Sequence, residues 1–538
     1  MHFFHVSIGG GITGIETIIS LINQIKVNKK KKDVKKISLA IIDKSPENIP
    51  GGVAYGFKRS IFGYFNNPLR LSPSKFTNWV LKIQNKKKLI NYLNTYGGYS
   101  GKQWIKINKK NLFSNKKKIL KELYIPRVMM NFWMLERFIS SMKEINKICK
   151  TKNILIDIKF FKGEVNGLKK KKNFYQINFK NNYCKELIYD KTNRNLKSIS
   201  FTKSSVLKEK ILAKNLNIGL GLPPPKQIAN RAARLNENYI WDFYDEGSTN
   251  CLISKIINLS KIKNNIIVYF VGYKAGLLEA LPELLKIITK KKIKVKIICS
   301  SSELQSIQKA ELSNNKRYYK TKHFNKASIL NLNTAAKLYK SIQNEFNFAE
   351  KKQYNIYDAW TYILKKNIIS KVINNFNKYQ KKKYDDYFHH KIRSITRFTY
   401  PETINSREIM IKKDILSAKK EIVKKIETKK NKLIVISKSK KNFFKKYNCD
   451  IVVNVSGPLN AKSIKSEIPL VKGLKKIGAR TISGNFLVNN YFEMQGFKNV
   501  FIPGILARGF NPERKTIISA ILKNSNIVAN YMFKKYLK

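Results

Sequence analysis

Gly9, Gly11 and Gly14 stand at G-x-G-x-x-G spacing directly behind the apolar run Phe3 to Ile8, with Gly10, Ile12 and Thr13 between them. The chemistry open to such a stretch is the holding of phosphate. Gly9 permits a tight turn, Gly11 lets backbone approach a pyrophosphate, and Gly14 lets a helix pack closely on a strand. The free N–H groups and positive dipole end of that helix then face the anion. A dinucleotide site also needs a carboxylate for ribose hydroxyls, and Asp43 closes the next apolar run, Ile37 to Ile42. Asp43 lies further from the glycines than the usual spacing of about 20 residues. The lysine-rich stretch NKKKKDVKK accounts for the excess. Asp43 is equally suited to opening a turn before Pro46.

These residues work only if a strand, a turn and a helix position them. Phe3 to Ile8 suits a buried parallel strand. Ile15, Ile18, Ile19, Ile22 and Ile25 recur at helical intervals, predicting a helix from about Ile12 to Lys26. A second strand, turn and helix follows at Ile266 to Val271, Gly272 and Ala275 onward, with another strand at Lys292 to Ser300. Its glycine pattern is eroded: Lys274 occupies the second glycine position, Leu277 the third, and Gly276 is displaced by one. A side chain at position 274 crowds a pyrophosphate, yet its ammonium can pair with one. A working NAD(P) site and a purely structural βαβ unit therefore both remain open. No arginine appears after that strand until Arg317, so nothing here favours the 2′-phosphate of NADP.

Gly51, Gly52 and Gly56 surround Val53, Ala54 and Tyr55 in a loop at the carboxyl end of the sheet. A flat, three-ring ligand can pack there without obstruction; a glycine-rich surface turn is the plainer reading. Arg127, after Pro126, suits a phosphate or an anionic flavin, or an ordinary surface position. Trp79 and Trp133 read as core residues. His389 and His390 read as a polar loop without metal-ligand spacing, and no metal site is expected.

The 538 residues carry 107 Lys and Arg against 34 Asp and Glu, a formal net charge of +73. With hydrophobic residues at 43%, the chain is nevertheless a folding one. Its lysines are dispersed in short runs, from Lys29 to Lys32 through to Lys381 to Lys383, among Asn and Ile. That dispersion suits solvated loops better than a specific nucleic-acid surface. Five separated cysteines without a C-x-x-C pair argue against a disulfide framework and a redox dithiol. No leader-like segment and no apolar stretch of about 20 residues stands out, so a cytoplasmic protein without a membrane span is expected.

The succession PGGVAYG, NNPLRLSPSKFTNWV and YIPRVMMNFW, followed by NLNIGLGLPPPK, HHKIRSITRFTYPE, DIVVNVSGP and NVFIPGILARGFNPERKTIISAILKNSNIVANYM, resembles a bacterial family of FAD/NAD(P)-binding flavoproteins. The resemblance extends, with gaps, over most of the chain. It implies an α/β protein with a Rossmann-like FAD-binding domain discontinuous in sequence, and a second Rossmann-like domain for NAD(P)H. It places Gly504 in the return to the flavin. Many related proteins carry an Asp after that glycine to hold ribityl or ribose hydroxyls, and Ile505 stands there instead.

On this reading residues 1–235 form the FAD-binding domain and 236–405 the second domain, with a helical cap at about 329–382. Residues 406–538 supply further strands and the return. Small β-ribbons are expected at residues 154–180, joined at Lys169 to Lys172, and at Glu421 to Ile426 with Lys432 to Ser437. No catalytic acid or base is assignable. The cofactor, FAD, would do the chemistry, passing electrons from NAD(P)H to oxygen or a small organic substrate. The other readings are a non-catalytic dinucleotide-binding sensor or scaffold, and a basic nucleic-acid-associated protein.

Overall fold

The computed structural model describes the chain apart from residues 29–33, 46–48, 57–64, 66–67, 180–184, 189–199, 203–210, 222, 244–247, 274, 303–307, 312–318, 326–328, 458–467, 483–484 and 508–516. Strand β1 (His2–Ile8), helix α1 (Ile12–Val27) and strand β2 (Lys36–Asp43) open the fold. A run of helices follows, ending in α2 (Val128–Lys152), which leads into β3 (Leu155–Lys162); β4 is Ile211–Ile218. A second sheet begins with β5 (Tyr239–Ile240), β6 (Asn265–Val271), helix α3 (Ala275–Lys291) and β7 (Lys294–Ser300). Helix α4 (Pro401–Lys412), β8 (Leu416–Lys419) and β9 (Ile451–Asn454) complete it. The chain then returns through β10 (Val500–Phe501) and closes with helix α5 (Ile517–Tyr536).

The first sheet has the parallel order β3-β2-β1-β4-β10. One edge of β4 is shared. Its start, Ile211 to Ala213, pairs antiparallel with Tyr175–Phe179, and Leu216 and Asn217 pair with β10. The second sheet is parallel throughout, in the order β8-β7-β6-β9-β5. Strands β8 and β9 lie beyond residue 405, so a boundary there divides one sheet.

The ribbons differ from expectation in one respect each. Leu155–Lys162 is not a hairpin arm; its apolar residues on both faces suit the buried parallel place beside β2. The hairpin is Val165–Lys170 with Tyr175–Phe179. The later ribbon has a third strand, Phe444–Cys449, beside Glu421–Lys429 and Lys432–Ser439. The helical cap runs to Ile395, past residue 382, and His389 begins its last helix rather than a loop. Trp79 and Trp133 are core residues, and the Arg137 guanidinium lies 4.6 Å from the Trp133 ring.

Helix α1 is buried on nearly every side. Its isoleucines join the apolar core with α2 and α5, each contributing about 1.5–3 kcal/mol on burial. Its polar residues are also enclosed. Glu16, 5% exposed, takes both guanidinium nitrogens of Arg137 at 2.5 and 2.9 Å, joining α1 to α2. Between β2 and β4, opposite Leu39 and Asn215, sits His5, fully buried with neither ring nitrogen hydrogen-bonded.

Burial depresses the His5 pKa from 6.5 to about 3. The unfolded chain therefore takes up a proton that the folded chain refuses as pH falls through that window, and stability is lost on acidification. His5→Leu is expected to flatten this loss by on the order of 1 kcal/mol per pH unit. Urea unfolding at a series of pH values between neutrality and pH 4 checks it; parallel slopes for the two proteins would contradict the assignment.

Candidate functional site

At the carboxyl end of the first sheet the ends of β1 and β4 cross. The Gly9 N–H donates to Ile42 O and the Gly219 N–H to Ile8 O, both at 2.8 Å. Gly9 has φ +100°, and a Cβ there would lie 2.3 Å from the Gly219 carbonyl oxygen. A Cβ on Gly14 would lie 2.1 Å from Gly9 O and 2.3 Å from Ser7 Oγ. These two glycines are what let backbone pass backbone. Gly11 is different. Its φ of −73° suits any residue, and its Cβ direction meets only Gly52, at 3.6 Å. Gly11 caps α1 without a side chain, and no acidic residue lies in the first turn. The Ile12 and Thr13 amides thus stand at a bare, positively polarised helix start.

Asp43 lies against this turn. Its Oδ2 accepts from the Gly10 N–H at 2.6 Å and its Oδ1 from the Ser45 N–H at 2.7 Å. The carboxylate therefore serves both as the tip of β2 and as the opener of the following turn. Gly52, Val53, Ala54 and Tyr55 form a single helical turn rather than an open loop, closed by Gly56 N–H to Gly52 O at 2.7 Å. Gly52, at φ +62°, faces Gly11 with no side chain between them.

On the other side of that segment lies a residue that sequence reasoning missed. Asn131, in the first turn of α2, is 0% exposed, and neither atom of its carboxamide has a hydrogen-bond partner. Its Oδ1 lies 2.5 Å from where a Cβ on Gly51 would stand. A polar residue inside Val128 to Trp133, otherwise apolar, was the available signal. Leaving such a group unpaired costs about 1–3 kcal/mol.

The returning chain completes the enclosure. Thr13 O accepts from Thr17 Oγ1 at 2.9 Å, Ser525 Oγ at 3.2 Å and Asn217 Nδ2 at 3.5 Å, tying α1, α5 and β4 at one carbonyl. Asn524 Nδ2 donates to Pro503 O at 3.1 Å, which sets Gly504 beside Thr13. Ile505 packs against the apolar cluster on the other face of the sheet. Gly9 to Gly14, Asp43, Gly52 and Gly504 are thus brought together.

The second unit repeats the backbone crossing. The Gly272 N–H donates to Ser300 O at 2.8 Å, the Val455 N–H to Val271 O at 3.0 Å, and Gly272 has φ +116°. A Cβ there would meet Val455 O at 2.8 Å. Gly276 lies in the first turn of α3, and Lys274 lies outside the described residues. Arg127 is not at the glycine turn: its guanidinium meets Glu279 of α3 at 2.6 Å, joining the two units. No group of His, Cys, Asp and Glu among the described residues is arranged to hold a metal ion.

No family profile matches the sequence, and no curated protein sequence matches it. Solved structures do. The ornithine N-hydroxylase of Kutzneria sp. 744, solved with reduced FAD, NADP+ and L-ornithine, superposes with a TM-score of 0.51 at 9% identity, over 99% of this chain and 100% of that one. The ornithine hydroxylase of Pseudomonas aeruginosa gives 0.49 at 8% identity, over 99% of each chain. The chain has the two-unit fold of the Kutzneria enzyme along its whole length.

The glycines are separable by substitution. Gly9→Ala and Gly14→Ala are expected to destabilise the protein by about 3 kcal/mol or more, through overpacking and, at Gly9, a strained φ. Gly11→Ala is expected to cost less than about 1 kcal/mol. Thermal melts of the three variants provide the comparison, and a Gly11→Ala melt as low as the others would refute the distinction.

Proposed function

We propose that the chain is an FAD-dependent oxidoreductase that draws electrons from NAD(P)H and passes them to oxygen or a small organic substrate. The observation carrying this reading is the bare start of α1: uncapped, free of acidic side chains and fronted by Gly11 and Gly52. It stands in a chain whose whole length shares a fold with an FAD- and NADP-containing hydroxylase.

The residues fit the cofactor in kind. The Ile12 and Thr13 amides would hold pyrophosphate, with Asp43 toward ribose and the Gly52–Tyr55 turn along the ring system. Asn131 offers a donor and an acceptor side by side, and the pyrimidine edge of a flavin presents both. Bound FAD supplies two-electron acceptance from a reduced nicotinamide and delivery to an acceptor. The protein supplies phosphate binding, ring orientation and exclusion of water by the packed return of α5. A cytoplasmic location belongs to the same reading, since Cys149, Cys251, Cys299 and Cys449 are all unpaired. The apolar Ile505 where a hydroxyl-binding Asp is common favours the second reading, a dinucleotide-binding sensor without turnover.

Purified protein is expected to be yellow, with a flavin absorbance that bleaches when NADH or NADPH is added without oxygen. Yellow protein that neither nucleotide bleaches would support the sensor, and protein that cannot be reconstituted with FAD would overturn both readings. Asn131→Leu is expected to move two quantities in opposite directions. The flavin-free protein should melt higher, because a buried unpaired amide is gone, while FAD affinity falls roughly tenfold with the loss of a hydrogen-bonding group worth about 1–2 kcal/mol. Melts of the apoprotein and FAD titrations measure both.

A further inference from the structure

The three-stranded ribbon built from Glu421–Lys429, Lys432–Ser439 and Phe444–Cys449 has no part in either glycine turn. Its inner face is anchored: Ile426, Leu433 and Val435 are buried against Ala229, Ala233 and Tyr269. Its far turn is not. Phe443 and Phe444 are 67% and 63% exposed, and Ile422, opposite Lys438 in the ladder, is 48% exposed. The turn holding them is well formed, with the Ser439 N–H donating to Phe443 O at 2.9 Å and the Asn442 N–H to Ser439 O at 3.1 Å. Asn442 adopts φ +65° to close it.

Around these rings stand Lys419, Lys420, Lys440, Lys441 and Lys446, all exposed. From Thr428 to Cys449 the sequence contains no Asp or Glu. The carboxylate nearest the tip in the ladder, Glu421, is buried and engaged by Ser437 Oγ at 2.5 Å, the Tyr447 hydroxyl at 3.0 Å and Lys445 Nζ at 3.3 Å. The lysine charge at the tip is therefore not neutralised from within. Two adjacent aromatic rings held out on a closed, convex turn, ringed by ammonium groups, are unfavourable in water. They complement a surface that is apolar a few ångströms down and anionic on top. Single-stranded nucleic acid is bound instead along basic grooves with flat stacking platforms, and a protruding turn is the opposite shape.

We propose that this turn docks the protein on an anionic lipid surface, with Phe443 and Phe444 entering the headgroup boundary and the lysines pairing with lipid phosphates and carboxylates. The protein stays peripheral: no described helix is long and apolar enough to cross a membrane.

The test is flotation of the full chain with vesicles of phosphatidylcholine alone or mixed with phosphatidylserine, at physiological salt. Overall positive charge by itself draws the protein to anionic vesicles, so the deciding variant leaves charge unchanged. F443S/F444S is expected to weaken binding to the mixed vesicles about tenfold or more, with its melting temperature unaltered because neither ring is packed. F443W is expected to shift its fluorescence to shorter wavelength on adding those vesicles. Equal binding by the serine variant and the unchanged protein would overturn the proposal. So would loss of binding to a single-stranded RNA oligonucleotide, but not to vesicles, in the same variant.

Discussion

The structure depends on two places where one strand end must pass within touching distance of another. At Gly9 and at Gly272 the backbone turns with positive φ, and its N–H reaches back to the neighbouring strand. In each unit the next strand across, β4 or β9, sends its own N–H to the end of the crossing strand. The two units satisfy the same geometric requirement with little sequence in common. No side chain can occupy the crossing, which is why glycine stands at both. The first unit carries the requirement further, since Gly14 must also sit against Gly9 O.

Around the first crossing the fold encloses polar groups in a way that holds distant segments of the chain in register. The Thr13 carbonyl gathers donors from α1, β4 and α5, and the Glu16–Arg137 pair joins α1 to α2. Removing one member of such a buried ion pair costs about 3–5 kcal/mol, because its partner is left charged and dry. The two units are themselves tied by Arg127 and Glu279. The Tyr124 hydroxyl reaches across to the Ala310 carbonyl, and burial raises its pKa well above that of a free phenol. An architecture interrupted in sequence is thereby made continuous in space.

Much of this was legible in the chain. The isoleucine period marked α1 to within a residue or two, and the runs ending at Ile8, Ile42 and Val271 marked their strands. Spacing alone singled out Gly9, Gly14 and Gly272. Other features were not legible, for physical reasons. Leu155–Lys162 has the apolar content of either a parallel strand or a hairpin arm, and only its neighbour decides. Phe444–Cys449 is too polar to announce a strand, because it is an edge with most of its side chains in water. His389 sits in a helix because the cap's packing continues past residue 382.

By itself the sequence determined where backbone could be bare and where helices could begin, since these follow from local residue type and spacing. It also determined the excess of positive charge. Only the tertiary structure decided which bare position faces an opening and which lies under a carbonyl oxygen, because that depends on a strand some two hundred residues away in the chain. Tertiary contacts also decided that Arg127 meets a carboxylate on α3, and that Asn131 is left dry without a partner. A side chain's partners are set by the elements packed around it, and those elements come together only when the chain has folded.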